Sequence, residues 1–143
     1  MKYILLFILL FALSSFAQRA DDVPLYQLTL KVENISNDDG VISVALCDSK
    51  KNYDEGDLPY KGLRGEIKNG LCIILFSDIP AGNYAIKLFH DENNNHKLDM
   101  NFMGIPSEDY GFSNDASGTF GPASWEDAMF EVTENKVVTI NLD

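Results

Sequence analysis

"FSDIPAGNYAIKLFHD", residues 76–91, decides the fold. Phe76 closes one run of alternating residues, Pro80 and Gly82 supply a reversal, and Tyr84, Ile86 and Leu88 open a second run with apolar residues two apart. Proline fixes φ and glycine accepts φ values closed to other residues, so the pair marks a turn. A period of two marks a strand with one buried face. The same period recurs on both sides. Upstream lie Leu28, Leu30 and Val32 in "YQLTLKV", then Ile42, Val44 and Leu46 after the turn "NDDG", then Leu63, Gly65 and Ile67, then the run 71–77. Downstream, Phe130 with Val132 and Val138, Ile140 with Leu142 are joined by "TENK". No stretch after residue 17 keeps a helical period for three turns. The expectation is an all-β, seven-stranded antiparallel β-sandwich, whose two sheets hide their apolar faces against each other.

Two stretches break that rhythm. Residues 49–62 read as a polar connection with room for one helical turn. Residues 90–126 form a far longer loop than compact domains usually carry, and such loops are commonly functional.

The chain opens with Lys2, an apolar run from Tyr3 to Leu13, and the small-residue stretch Ser14, Ser15, Phe16, Ala17, which has the form of a secretory signal peptide. The run is too short for a spanning helix. Residues 1–17 are read as a signal peptide, 18–24 as a flexible N-terminus and 25–143 as one sandwich domain. The protein is expected to be exported, periplasmic or extracellular. It is not expected to be a lipoprotein, because the only cysteines, Cys47 and Cys72, lie far downstream. Removal of the leader leaves 10 basic against 22 acidic residues, a formal charge of −12. That balance argues against nucleic acid and anionic membrane surfaces as partners, and no membrane insertion is expected after the leader is removed. Alternation places Cys47 opposite Ile42, Val44 and Leu46 but Cys72 with Ile74 and Phe76. The two thiols therefore face different ways, and a disulfide stays an open alternative to two small strand residues.

The turn of residues 76–84, an aromatic, an Asp, an apolar residue, Pro, Gly and Tyr, resembles the signature of prealbumin-like and collagen-binding-B-like sandwich domains. Joined to the stretch 90–132, it resembles the bacterial domain of unknown function 2141 family, small secreted proteins without an assigned activity. The resemblance rests on His90–Asn93, Lys97–Asp99, Gly104–Pro106 and Tyr110–Asn114. It implies an immunoglobulin-like or prealbumin-like sandwich, and glycines where this chain has Asn94 and His96.

"HDENNNHKLD", residues 90–99, also fits the alternating oxygen ligands of a calcium loop. Asp91, Asn93 and Asn95 take the first, third and fifth positions, the Lys97 carbonyl the seventh and Asp99 the ninth. The sixth, usually Gly, is His96; the twelfth, usually Glu, is Phe102. Low charge implies weak affinity unless Glu108, Asp109 or Asp115 folds back to join. The competing reading is an Asn-rich polar turn held by side-chain to backbone bonds. A transition-metal site on His90, Asp91 and His96 lacks a third histidine.

Beyond this turn, Phe102, Tyr110, Phe112, Phe120 and Trp125 alternate with glycines. They can form a contact surface for a peptide, a glycan or an envelope protein, with His90 at its rim, or the loop's own miniature core. Ser113, Asp115 and His90 make a triad only on paper, since no elbow motif surrounds Ser113. The sequence reads as an exported binding or envelope-accessory module with a calcium-organised loop. The rivals are a small hydrolase acting through the same loop and a purely structural protein.

Overall fold

The structure is a computed structural model that describes residues 23–56 and 58–142. The expected signal peptide, 1–17, and residues 18–22 of the expected flexible N-terminus lie outside the described residues. The elements are β1 (Leu25–Glu33), β2 (Val41–Cys47), α1 (Lys50–Glu55), β3 (Lys61–Gly65), β4 (Cys72–Pro80), β5 (Gly82–Asp91), β6 (Tyr110–Phe112), α2 (Trp125–Ala128), β7 (Phe130–Val132) and β8 (Lys136–Asn141).

The chain is all-β, in two sheets. One sheet has the order β4-β1-β8; the other runs β3-β2-β5-β6, with β7 paired to the start of β5. Among the described residues there are eight strands rather than the seven expected. The addition, β6, is three residues with glycine at its centre, too short to show a period, and it pairs Tyr110 with Phe89 and Phe112 with Lys87. The strands are also not all antiparallel: β1 and β8 run parallel, from Leu28 beside Lys136 to Glu33 beside Asn141. Alternation tells which face of a strand is buried but not which way its neighbour runs.

The reversal at 80–82 is not a hairpin within one sheet. It hands the chain from β4, in the first sheet, to β5, in the second. A bulge prepares the hand-over. Tyr26 lies opposite Ile79 and Leu28 opposite Phe76, so β4 carries one more residue than β1 across this interval, and Asp78 takes a φ of 58°. The extra residue resets the alternation, which lets Phe76 and Ile79 both point inward.

Between the sheets lies the main core, where Leu28, Leu30, Ile42, Leu46, Phe76, Ile86 and Ile140 are fully buried. Cys72 belongs to this core. Cys47 belongs to a second apolar cluster on the outer face of the five-stranded sheet, with Tyr53, Ala85, Phe112, Ala123, Trp125 and Ala128. The two thiols lie in different clusters and both are free. α1 supplies Tyr53 to the outer cluster. It is capped at one end by Ser49 Oγ, which accepts from Asn52 N, and stopped by Gly56 at φ 69°.

Candidate functional site

The acidic turn grows from the end of β5, so its first carboxylate is fixed by the sheet. Asp91 is fully buried. Its Oδ1 accepts from Asn95 N at 3.0 Å, its Oδ2 from His96 N at 3.0 Å, and Oδ2 is ion-paired with Arg64 of β3. Asn93 Oδ1 accepts from Asn95 N at 3.0 Å, and Asn95 Oδ1 from Lys97 N at 2.8 Å. Each such side chain closes its own small ring with the backbone two residues on. Asn94 and His96 take φ values of 57° and 67°. Both positions where the resemblance implies glycine are therefore left-handed, a region that Asn and His enter more readily than most residues.

Asp99 closes the turn. Its carboxylate accepts from Asn93 Nδ2 at 2.6 Å and from Asn95 Nδ2 at 2.9 Å. Of the three acids that could fold back, Glu108 does so. It is 9% exposed, and its two oxygens accept from Glu92 N at 3.1 Å and Asp99 N at 2.9 Å. Asp115 instead binds Asn141, through its N–H at 2.8 Å and its Nδ2 at 2.7 Å. Asp109 offers its carbonyl to His90 N at 2.8 Å.

The turn thus brings Asp91, Asn93, Asn95 and Asp99 together, with Glu108 as a brace. The donor set is all oxygen, which suits a hard cation such as calcium. Among the described residues no three His, Cys, Asp or Glu side chains form a ready metal cage, so a cation here would depend on Asn and carbonyl oxygens. Arg64 meets part of the same need: its guanidinium sits on Asp91 and lies 2.7 Å from His96 Nδ1. His90, Asp91 and His96 do not converge. His90 is fully buried, its Nε2 donates to the Asp39 carbonyl at 2.6 Å, and among the described residues Nδ1 has no hydrogen-bond partner, with Glu92 Oε1 3.7 Å away.

The aromatic residues divide. Phe112 and Trp125 are buried in the outer cluster, where Trp125 meets Tyr53 edge-on at 5.8 Å. Phe102 and Phe120 are fully exposed, and Tyr110 is about half-exposed. Tyr110 separates two shallow depressions. One, of about 540 Å³, is polar, with Asn34, Asp109, Asp115, Ser117 and Asn141 on its walls. The other, of about 480 Å³, is more apolar and includes Ala45, Phe89, Leu98 and Pro122. Ser113 is fully buried; its Oγ accepts from Ile86 N at 2.9 Å and donates to the Ala128 carbonyl at 2.5 Å. It ties β5 to α2, and the structure does not bring it together with His90 or Asp115.

Sequence reasoning missed Arg64, because only the pairing of β3 with β2 carries it to the turn. It also missed Asn101, whose Oδ1 accepts from Met103 N at 2.8 Å and Ile105 N at 3.1 Å. An asparagine two residues before a methionine and three before a glycine is a legible turn signal.

Fold and site together define a small two-sheet sandwich with one elaborated loop, rooted in an Asp- and Asn-rich turn. The chain belongs to the family of uncharacterized proteins conserved in bacteria, domain of unknown function 2141, whose model matches residues 30–141. No curated protein and no solved structure matches it.

Proposed function

We propose that this chain is an exported, prealbumin-like binding module whose loop 90–126 is organised by calcium and presents the surface around Tyr110 to a peptide, a glycan or an envelope protein. Export rests on residues 1–17, and the prealbumin-like kinship on the turn 76–84. The observation that carries the reading is the convergence of Asp91, Asn93, Asn95 and Asp99, closed by the carboxylate of Glu108. Asp91, Asn93, Asn95, the Lys97 carbonyl and Asp99 would hold the ion. Calcium would supply charge neutralisation and stiffness to the root of the loop. Arg64 competes for Asp91, so calcium must share that carboxylate or displace the guanidinium.

The test is the thermal midpoint of the mature protein in chelator and then in rising calcium, with magnesium as control. A site filled to 100 times its Kd stabilises the fold by about 2.7 kcal/mol. A calcium-specific rise is expected, absent in Asp91→Ala/Asp99→Ala and larger at a given calcium concentration in Arg64→Ala. No rise at several millimolar calcium overturns the cation and leaves a polar turn held by Arg64.

A further inference from the structure

Immediately above the acidic turn, residues 100–107, "MNFMGIPS", carry no charged side chain. They fold into a tight turn that projects its apolar residues outward: Phe102 is 97% exposed, Met103 67%, Met100 55% and Ile105 52%. Scattered exposed apolar residues are ordinary, but four on one turn are not. The turn is no loosely held segment. Met100 and Pro106 pair across it, Asn101 N donates to the Ile105 carbonyl at 2.8 Å, Gly104 N to the Asn101 carbonyl at 2.9 Å and Ser107 N to the Asp99 carbonyl at 2.8 Å. Asn101 Oδ1 takes the N–H groups of Met103 and Ile105.

That pattern selects the surroundings the turn fits. The backbone donors of Asn101, Met103, Gly104, Ile105 and Ser107 are satisfied from within and Pro106 has none; among the described residues those of Met100 and Phe102 have no partner, which holds the turn at the level of the headgroup oxygens and no deeper. A protein partner can supply hydrogen bonds to an open backbone, whereas hydrocarbon cannot, and a segment that enters lipid must bring its bonds with it. A projecting apolar tip also needs a partner that yields around it. Charge narrows the choice further. At the base stand Glu92, Asp99 and Asp109 against the single cation Lys97 of the same turn, on a chain of formal charge −11. An anionic surface repels such a base, while the outermost group of a zwitterionic headgroup is an ammonium.

We propose that the 100–106 turn is a membrane-docking tip that seats Phe102 and Met103 at the headgroup–acyl boundary of a zwitterionic bilayer, with the acidic base at the level of the ammonium groups. This amends the expectation of no membrane insertion by the depth of one turn; among the described residues no helix is long and apolar enough to cross a membrane.

The experiment is flotation of the mature protein with phosphatidylcholine vesicles in the presence of chelator, so that the result does not depend on the calcium reading. In parallel, Phe102→Trp is titrated with the same vesicles and its emission followed. Flotation and a blue shift are expected. Each apolar side chain removed should weaken partitioning about tenfold. Phe102→Asp/Met103→Asp should therefore lose binding while keeping the thermal midpoint, because both side chains stand in solvent. Replacing part of the phosphatidylcholine by phosphatidylserine should weaken binding. Absence of flotation and of a blue shift at high lipid overturns the proposal, as does equal binding by the double variant or a preference for anionic vesicles. Tip-dependent self-association without vesicle binding would assign the tip to a second copy of the chain instead.

Discussion

Glu108 joins the two ends of one turn, which the side chains of the turn itself also link. Its oxygens accept the N–H groups of Glu92 and Asp99, and hydrogen bonds to a charged acceptor are the stronger kind. Glu108→Ala is expected to cost about 2 kcal/mol in urea denaturation, with faster amide exchange at Glu92 and Asp99, and Glu108→Gln about half as much. Several buried groups shape the alkaline limb, where burial also raises the Tyr53 and Tyr84 hydroxyls. Burial in the main core pushes the Cys72 thiol up to about 11, from an ordinary 9.0. Burial also raises Cys47, against the pull of Lys87. The unfolded chain therefore gives up its thiol protons first. Stability is full below pH 9 and falls as pH rises toward 11, and a urea midpoint followed over that range checks it. The slope should be shallower in Cys72→Ala. At low pH the sign reverses at Asp38, whose carboxyl the N–H groups of Gly70 and Asn69 hold below its usual range. Its small contribution is present above that range and lost as pH falls through its lowered value.

Among the elements, β6 lies close against the core. A Cβ on Gly111 would come 2.9 Å from Ile140 Cγ2 and 3.1 Å from Leu142 Cδ2. Gly111→Ala is expected to cost about 1–3 kcal/mol in urea, because β6 must lift from the end of the core or push β8 aside. This strand marks the boundary of what the sequence discloses. Seven strands were legible because each run of sequence carries at least two apolar residues at period two, although Leu63 of β3 is exposed. β6 carries one, Phe112, and that points outward to Tyr53 and Trp125. The root of the loop was legible for another reason: Asp91, Asn93, Asn95 and Asp99 interact within ten residues, so spacing alone could bring them together. Arg64 and Glu108 reach the same turn from outside it. The aromatic residues were legible as a group but not as individuals, since composition does not tell that Trp125 is buried and Phe102 exposed.

At the scale of the molecule, the five-stranded sheet has an apolar cluster on each face. The inner one is shared with three further strands, whereas among the described residues the outer one is roofed by α1, α2 and the chain around β6. The outer roof holds through the rings of Tyr53, Phe112 and Trp125 and the hydrogen bond from the Tyr53 hydroxyl to the Ala123 carbonyl at 3.0 Å. A layer with so few buried groups opens below the global transition. Trp125 is the single tryptophan, so its emission should change at lower urea than the far-ultraviolet signal of the sheets. Coincident transitions would show that roof and sandwich unfold as one unit.

The parallel pairing of β1 with β8 reaches beyond the finished structure. β1 occupies the middle of its sheet, and one of its two neighbours is the stretch 136–141. A chain emerging from the ribosome, N-terminus first, lacks that neighbour until residue 141 has been made. The middle strand of that sheet therefore stays paired on one side only until β8 has been made.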